Sequence, residues 1–359
     1  MNEPHGIFSV LALPPPQVSA EAAEAVALAQ WGIRAHAKAL RGERDRNFHL
    51  RAEDGREFVL KFANPAEAAG FRAMQIAALE HIARVDPELP VPRVVPLPDG
   101  RVEASLPQRT GVVQHARLLS WVPGNLLSSV RRSAAQRIAC GRLLARLQVA
   151  LEGFHHPSSD HRIIWDLQHA LCLREVVFAI PQAQARACVA KLLDEFEACI
   201  VPLLDHFRRQ ILHNDMGVNT LVDPADPDLT IGVIDFGDIA ETAVVFDVAI
   251  AAAAQLGEDM PIPEAIGHFV AGFHAARPLL AEELGALPLL VALRMAMGLT
   301  LASWHRHSQP DNPHFDFVEE TVARRLAAIS EIYSSETTEI LRSVCGQAEP
   351  GNRYKGNAP

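Results

Sequence analysis

The sequence predicts an α+β protein with two lobes, a small β-rich lobe followed by a large helical one. At 359 residues the chain is long for one domain, which favours two lobes around a shared cleft. Short extended runs bounded by turn residues dominate residues 33–122. Apolar residues at helical spacing dominate residues 123–345, apart from one hairpin within 211–238.

The composition is typical of a globular protein with a large core, since 49% of the residues are hydrophobic and 21% are charged. A net charge of −10 argues against a general nucleic-acid binder. The longest apolar run, near Val244 to Ala254, is interrupted by Asp247, so we expect no membrane partner. The N-terminus lacks a basic segment followed by an apolar one, and we therefore expect no secretory signal.

The cysteines indicate a reducing setting. They are odd in number, widely spaced and without a CxxC pair, so they do not predict a zinc site. We expect a cytoplasmic protein. The five positions are Cys140, Cys172, Cys188, Cys199 and Cys345.

Strands are predicted to precede helices along the chain. Residues 1–32 form an N-terminal arm and a short helix, Glu21–Gly32. A strand is predicted at Glu57–Phe62, and a helix opens at Asn64 and runs to about Arg84. Residues 346–359 are predicted to be a flexible tail. The helical lobe is predicted to contain Ser133–Leu151, Gln184–Arg209, Val244–Gln255, Pro263–Ala276, Ala281–Ser303 and Phe317–Cys345.

Three polar side chains flank the hairpin of residues 211–238. Asp215 and Asn219 precede its first strand, and Asp235 ends its second. Closing the hairpin brings two carboxylates and a carboxamide to one end, where they can hold a hard divalent cation. A carboxylate there can also accept a proton from a hydroxyl. A polar loop capped by Asp and Asn would give the same local pattern.

These residues match what phosphoryl transfer requires, in the chain order of the protein-kinase signature. Asp215, in His-Asn-Asp, is the predicted base. Asp235, in Asp-Phe-Gly, and Asn219 are the predicted Mg²⁺ ligands. Lys61 is the predicted contact to the nucleotide phosphates. Taken alone, such a lysine is equally well interpreted as the solvent-facing residue of a half-buried strand.

Two weaker segments complete the predicted nucleotide site. Gly42 to Asn47 would lie over the phosphates and donate backbone N–H groups, although without a GxGxxG pattern it is also compatible with a plain turn. Ser120, Trp121 and Val122 would form a hinge that offers backbone groups to the purine edge. An ordinary strand is equally compatible with these three residues.

Over roughly residues 35–330 the sequence resembles the aminoglycoside phosphotransferase and choline kinase family, and within it the hydroxylysine kinase branch. The resemblance implies a protein kinase-like two-lobe fold that phosphorylates a hydroxyl of a small amino compound. It implies 5-hydroxylysine as the acceptor, Mg²⁺ as the cofactor and GTP as the donor, with ATP as the alternative. The resemblance rests on Arg46-Asn47-Phe48, Asn64-Pro65-Ala66-Glu67, Ala78-Leu79-Glu80-His81, Gly153-Phe154, His156-Pro157, Trp165-Asp166-Leu167, His213-Asn214-Asp215, Ile234 to Asp238 and Asp311-Asn312-Pro313.

The sequence departs from this family's pattern at two places. The family places its metal-binding asparagine five residues after the catalytic aspartate, whereas Asn219 is four after Asp215. We expect Gly217 to absorb the shortening, since glycine tolerates unusual backbone angles. The family also pairs its strand lysine with a mid-helix glutamate, a place where Gln75 stands here. The candidate partners of Lys61 are therefore Gln75, Glu80 and Glu67.

An amino-acid acceptor needs an anion for its ammonium group and a cation for its carboxylate. Asp166 and Arg294 could supply these charges, although each could instead form an ion pair on or between helices. The predicted acceptor residues are Trp165, Asp166, Arg294, Trp304 and Asn312.

Several other functions fit parts of this pattern. Choline, ethanolamine, homoserine, an amino sugar or an aminoglycoside are alternative acceptors, and a nucleotide-binding pseudokinase would fit the shortened loop. A protein kinase does not fit, because the sequence after Asp-Phe-Gly runs directly into the helix at Val244 without an activation loop. The predicted partners are a nucleotide and a small hydroxylated amine, with no nucleic acid and no membrane. A homodimer is one option for the assembly.

Overall fold

The computed structural model describes residues 15–42, 44–107, 113–308 and 319–346, and the chain divides into two compact units. The first, here the β-rich unit, comprises the chain up to Pro123 together with His156–Ser159 and Gly232–Ile234. The second, here the helical unit, comprises Gly124–His155, Asp160–Ile231 and the chain from Asp235 onward.

The β-rich unit is built on one antiparallel sheet with the strand order β1-β2-β3-β6-β4, and β5 also pairs with β6. Two helices belong to the same unit. The elements are α1 (Ala20–Trp31), β1 (Ala35–Ala39), β2 (Arg46–Ala52), β3 (Glu57–Phe62), α2 (Ala69–Val85), β4 (Val94–Val95), β5 (Ala104–Pro107) and β6 (Val113–Ser120).

Helix α1 is part of the core of the β-rich unit. The side chain of Ser19 caps its first turn, and Gly32 ends it with a φ of 68°, a left-handed conformation that favours glycine. Ala23, Ala27 and Trp31 are buried against apolar residues of the sheet. The sequence predicted a boundary between α1 and the β-rich lobe at residue 32. In the structure α1 belongs with the sheet, because the buried face of α1 forms part of the sheet's core.

Helix α2 begins at Ala69 rather than at Asn64. The carboxamide oxygen of Asn64 accepts a hydrogen bond from the backbone N–H of Ala66 at 3.0 Å, which holds residues 64–67 in a turn. Glu67 lies in this turn, outside the helix. The sheet register places Lys61 of β3 opposite Asn47 of β2 on one side and opposite Arg117 of β6 on the other.

The helical unit contains seven α-helices among its described residues. The predicted continuous helix Phe317–Cys345 is two helices, because the side chain of Ser334 caps a new first turn at Thr337. The helices are α3 (Ala134–Ala150), α4 (Ala183–Cys199), α5 (Val244–Ala253), α6 (Ile262–Ala276), α7 (Ala281–Ser308), α8 (Glu319–Ile332) and α9 (Ser335–Val344).

Two small sheets accompany these helices. The predicted hairpin is confirmed as β9 (Thr220–Val222) and β10 (Thr230–Val233), with β7 (Asn125–Leu126) pairing on the far side of β9. A second pair joins β8 (Arg209–Leu212) and β11 (Ala240–Ala243). The prediction that the chain passes from Asp-Phe-Gly directly into a helix missed β11, which is short and carries polar residues.

Helix α7 is the apolar centre of the helical unit. By length and composition alone it could cross a membrane, but 78% of its most apolar window is buried within the protein. The sequence predicted a helix at Ala281–Ser303 but not one apolar enough to cross a membrane, because Arg294 interrupts the run of apolar residues. A core helix of a globular protein meets the same criterion, so the burial accounts for the apolar face.

Candidate active site

The loop that carries Asp215 follows strand β8 and is fixed by a buried carboxylate. Oδ1 of Asp247, on α5, accepts a hydrogen bond from the backbone N–H of Asn214 at 2.9 Å. Asn214 has a φ of 64°, in the left-handed region that non-glycine residues seldom adopt. The backbone N–H of Asp215 donates to Nδ1 of His213 at 3.2 Å. These contacts hold the loop in a conformation that the chain would otherwise rarely populate.

Asn219 reaches Asp215 despite the shortened loop. Its Nδ2 donates to Oδ2 of Asp215 at 2.7 Å and to the backbone oxygen of Asp215 at 3.0 Å. The loop closes as a tight turn, with the N–H of Asn219 donating to the oxygen of Met216 at 3.1 Å. The predicted base and the predicted metal ligand are thus brought together.

Gly217 supports this turn for a different reason from the one predicted. Among the described residues its backbone is not one of those with positive φ. A Cβ added at Gly217 would instead overlap the Cβ of Ala254 and lie 3.5 Å from the oxygen of Ala251. Glycine is required here because the loop packs directly on the end of α5.

Asp215 lies among other carboxylates. Burial and the nearby Asp238 raise its pKa well above the usual range, Arg294 acts against this, and Asp235 raises the pKa further. Asp235 has a φ of 61°, and its Oδ1 accepts a hydrogen bond from the N–H of Gly237 at 3.2 Å. Negative charge is therefore concentrated at this end of the hairpin.

These residues fit a hard divalent cation. The amide nitrogen of Asn219 is engaged with Asp215, so its carboxamide oxygen is the atom that can serve as a ligand. The second candidate ligand is the carboxylate of Asp235, which is close enough to act on the pKa of Asp215. A cation here would offset the repulsion that raises the pKa of Asp215. The described residues hold no group of three His, Cys, Asp or Glu side chains suited to a metal. Mg²⁺ bound by few protein ligands keeps positions for water and phosphate oxygens.

Two of the predicted acceptor residues also lie together. The guanidinium carbon of Arg294, on α7, is 4.9 Å from the centre of the Trp165 ring, within the range of a cation–π interaction. Its Nε is buried, with no hydrogen-bond partner in the part of the chain that the structure describes. Burial lowers the pKa of Arg294, whereas Asp215 and Asp238 raise it. A cation held by an aromatic ring therefore stands close to the predicted base.

The predicted role of Asp166 as an acceptor anion is wrong. The side chain is fully buried, and its Oδ1 accepts from the N–H of Gln168 at 3.0 Å and from the hydroxyl of Thr242 at 2.9 Å. It caps the 3₁₀ segment Leu167–Glu175 and ties it to β11. Both oxygens are used within the fold, since Oδ2 accepts from Nε2 of Gln168 at 2.7 Å.

The two remaining predicted acceptor residues, Trp304 and Asn312, do not add to the described site. Trp304 is 9% exposed, and its ring packs at 5.1 Å from that of the neighbouring His305. It is therefore a core residue of α7. Asn312 lies outside the described residues.

In the β-rich unit, Lys61 forms an ion pair that the sequence analysis did not predict. Its Nζ lies 3.6 Å from Oδ2 of Asp45, and Nη2 of Arg117 lies 3.9 Å from the same oxygen. Oδ1 of Asp45 accepts the backbone N–H of Asn64 at 3.0 Å. The presence of an acid, Asp45, in the turn between β1 and β2 was the sequence signal that could have predicted its pairing with Lys61. The contact of Arg117 with the same acid could not be predicted, because it depends on the register of β3 and β6.

The three predicted partners of Lys61 differ in position. Glu67 is half-buried, and its pKa is raised first by burial and then by Asp45, while Arg117, Gln75 and Lys61 act in the opposite direction. Gln75 donates to Oε1 of Glu67 at 2.9 Å and accepts a hydrogen bond from Arg117. Glu80 is exposed. Of the three predicted partners, Glu67 is thus an acid whose charge interacts with Lys61, and Asp45 forms an ion pair with the same lysine.

The predicted phosphate-binding turn is closely packed. A Cβ at Gly42 would overlap the backbone oxygen of Asp45 and lie 2.9 Å from Nδ2 of Asn47. Asn47 is 9% exposed, and its Oδ1 has no hydrogen-bond partner among the described residues. The turn thus needs glycine for space.

The predicted hinge is partly occupied by the sheet itself. The N–H of Ser120 donates to the oxygen of Arg93 at 2.8 Å, and that of Trp121 donates to the oxygen of Glu57 at 3.1 Å. These two N–H groups are engaged within the sheet, so a purine contact from Ser120 or Trp121 would have to use a carbonyl oxygen. The role of Val122 stays a prediction.

The chain is similar in sequence to proteins of one known family. The sequence model of the phosphotransferase enzyme family matches residues 36–282. The chain is 34% identical over 223 residues to a hydroxylysine kinase of Mus musculus, and the match covers 59% of each chain. It is 31% identical over 210 residues to the hydroxylysine kinase of Bos taurus, covering 55% of this chain and 56% of that one. The matched part of the chain thus covers less than two thirds of the length of each of these two relatives.

Solved structures show the same fold. A microcompartment-associated aminopropanol kinase superposes with a TM-score of 0.65 at 20% identity, covering 89% of this chain and 97% of the other. An amicoumacin kinase in complex with AMP-PNP, Ca²⁺ and Ami superposes with a TM-score of 0.62 at 16% identity, covering 83% of this chain and 87% of the other. The predicted kinase-like α+β fold is confirmed. The family match over residues 36–282 and these superpositions agree, and the chain belongs to the phosphotransferase enzyme family.

Proposed function

We propose that this protein transfers the γ-phosphoryl group of GTP or ATP to a hydroxyl of a small amino acid, with 5-hydroxylysine as the leading candidate. The observation that carries the proposal is Arg294, whose guanidinium lies 4.9 Å from the Trp165 ring and close enough to Asp215 to act on its pKa. The hydroxylysine kinases to which the chain is similar support the same acceptor.

The acceptor must offer groups that suit both residues. Asp215 would accept the hydroxyl proton as the hydroxyl oxygen bonds to the γ-phosphorus and the bond to the β-phosphate oxygen breaks, releasing the nucleoside diphosphate. Arg294 would bind a carboxylate of the same molecule. Choline and ethanolamine have no carboxylate, and an aminoglycoside would bring several positive charges next to this arginine. The geometry therefore favours an amino acid.

Mg²⁺ and the nucleotide complete the proposed reaction. Asp235 and Asn219 would hold the ion, which when bound neutralises charge on the phosphates. Lys61 would contact the phosphates from the β-rich unit. A spectinomycin phosphotransferase of the same fold is described with ADP, and the amicoumacin kinase with AMP-PNP and Ca²⁺, which supports a nucleotide donor and a divalent cation.

A panel of acceptors tests the proposal. Purified protein with Mg²⁺ and GTP or ATP is incubated with 5-hydroxylysine, its decarboxylated amine, homoserine, choline, ethanolamine and an aminoglycoside, and the phosphate mass shift is measured. We expect 5-hydroxylysine to be phosphorylated faster than its decarboxylated amine. Binding of nucleotide without phosphorylation of any acceptor would instead support a pseudokinase.

Variants of Arg294 test the residue that carries the proposal. Arg294→Gln should lower kcat/KM for 5-hydroxylysine by about 10- to 100-fold, as expected for loss of a charged hydrogen bond. The same change also removes a charge that lowers the pKa of Asp215, so kcat/KM for the decarboxylated amine should fall as well, but by a smaller factor. Arg306→Gln changes an exposed arginine of the same helix and serves as the control. Equal losses for both acceptors would contradict the carboxylate contact.

A further inference from the structure

The helical unit contains a cavity of about 360 Å³ at the start of strand β8. Its walls come from the segment after α3, the start of β8, β11 and the end of α6, and they include Arg208, Arg209 and Arg277. Strand β8 runs from this cavity toward the loop that carries Asp215. None of the described residues proposed above for phosphoryl transfer lines the cavity.

Arg277 is the buried cation of this cavity, with 9% of its surface exposed. Its Nη1 donates to Oε1 of Gln148 at 3.3 Å, and its Nη2 donates to Oε1 of Gln210 at 2.8 Å. Both acceptors are neutral amides, and no carboxylate of the described residues forms an ion pair with this guanidinium. Glu152, Glu283 and Asp247 act on this charge only from a distance, while burial lowers the pKa of Arg277. A buried cation without a direct ion-pair contact is unfavourable, so the cavity is suited to an anion that would supply that contact.

The other charged groups limit the kind of anion. Nη2 of Arg209 donates to two neutral oxygens, Oε1 of Gln168 at 3.1 Å and the backbone oxygen of Glu241 at 3.2 Å. Arg208 is neutralised by Glu283, whose Oε1 accepts from its Nε at 2.9 Å. The cavity is also lined by Glu152 and Glu241. Two arginines without carboxylate partners, flanked by two acids, suit a small anion better than a polyphosphate.

A buried chain of hydrogen bonds connects the cavity with the catalytic loop. Gln148, which accepts from Arg277, donates through Nε2 to Oδ2 of Asp247 at 2.8 Å. The other oxygen of Asp247 accepts the backbone N–H of Asn214, next to Asp215. Gln148, Asp247 and Asn214 are each fully buried. A change in the contacts of Arg277 therefore reaches the loop through only two side chains, Gln148 and Asp247.

We propose that this cavity binds a small oxyanion, a carboxylate or a phosphate group, through Arg277 and Arg209. The bound anion draws the guanidinium of Arg277 away from its amide acceptors. Gln148 then changes its hydrogen bonds, and through Asp247 the position of the Asn214 backbone shifts. The anion binding does not depend on the proposed function. The effect of the anion on the loop does rest on it, because that effect would be measured as a change in nucleotide binding.

Isothermal titration calorimetry of the full chain with inorganic phosphate, and separately with acetate, tests the site. Ionic strength is held constant with sodium chloride. We expect saturable binding of at least one of these anions with a Kd of about 1 mM. Arg209→Gln should weaken it about tenfold or more, and since Arg209 is exposed this variant should fold normally. Arg277→Gln should abolish binding, and Arg142→Gln, which changes an exposed arginine of α3, should leave it unaltered.

The results separate the two parts of the proposal. Binding of phosphate alone identifies a phosphate site, and binding of acetate as well extends it to carboxylates. No saturable binding of either anion, or equal binding by the wild type and Arg209→Gln, would overturn the site. With a non-hydrolysable nucleotide and Mg²⁺, the anion should change the nucleotide Kd about fivefold in the wild type and not in Arg209→Gln. An unchanged nucleotide Kd would overturn the coupling while the calorimetry still decides the site.

Discussion

The amide nitrogen of Asn219 lies 2.7 Å from Oδ2 of Asp215, so the proposed base and the proposed metal ligand are in direct contact. The contact orients the carboxylate of Asp215 and leaves the carboxamide oxygen of Asn219 as the atom of that side chain that can bind a metal ion. The four-residue spacing therefore still brings Asn219 into contact with Asp215.

Asp215→Asn should abolish most of the turnover while nucleotide binding stays nearly intact. An amide cannot accept the proton of the acceptor hydroxyl, and loss of such a group lowers kcat by about 10²- to 10⁴-fold. A coupled assay gives kcat, and calorimetry gives the nucleotide Kd. Asp205→Asn, an exposed aspartate of the same unit, is the matched control. Similar turnover in the Asp215 variant would remove Asp215 from the mechanism.

Gly217→Ala should destabilise the protein by about 1–3 kcal/mol, since the new methyl group overlaps the Cβ of Ala254. Urea unfolding of the variant gives the change in the free energy of unfolding. Ala254→Gly removes the overlapping atom, so the double variant should recover much of the loss. If the double variant is no more stable than the sum of the two single effects predicts, the close approach is not the cause.

Asp45→Asn should strengthen nucleotide binding roughly threefold, the equivalent of about 0.7 kcal/mol. The carboxylate of Asp45 attracts Lys61 and Arg117, and nucleotide phosphates would compete with it for the same cations. Asparagine keeps the oxygen that accepts the backbone N–H of Asn64. Calorimetry with GTP and ATP measures the effect, and Asp54→Asn in the exposed β2–β3 turn is the control. Weaker binding in Asp45→Asn would show that the pair positions Lys61 instead of competing for it.

The stability of the protein should depend on pH through Asp166. Burial raises the pKa of this carboxyl from 3.8 to about 6, so the folded chain holds the proton more tightly than the unfolded chain. The stabilisation from protonation is complete below about pH 4 and is lost as the pH rises through 6. It amounts to roughly 3 kcal/mol.

Urea unfolding of the wild type and Asp166→Asn between pH 4 and 7 measures this dependence. The free energy of unfolding of the wild type minus that of the variant should fall as the pH rises. Asp247, whose pKa burial also raises to about 6, is present in both chains, but Asp166 adds to that shift, so the contribution of Asp247 cancels only in part. A difference that stays constant with pH would mean that Asp166 is ionised in both states.

Features that depend on local sequence could be predicted. The hairpin β9–β10 follows from two apolar runs separated by turn residues, and its flanking residues Asp215 and Asn219 followed from its closure. Arg294 could be singled out because an amino-acid acceptor needs a cation for its carboxylate, but its contact with Trp165 depends on how α7 packs.

Features that depend on packing could not be predicted. Asp166 carries the charge expected of a ligand, yet its burial under Thr242 turns it into a cap. The pairing of Lys61 with Asp45 depends on how the turn after β1 folds back. The direct contacts of Arg277 with the amides of Gln148 and Gln210 result from three distant segments meeting, which no local pattern records.

Helix α7 also has a consequence for how the chain folds. It packs on α4 and α5, which precede it, and on α8 and α9, which follow. On the ribosome α7 emerges before α8 and α9 exist, so its apolar surface is incompletely covered for several seconds of synthesis. A chain that stopped before α8 would leave the part of α7 that α8 and α9 cover exposed to water, and we expect it to be less soluble than the full chain.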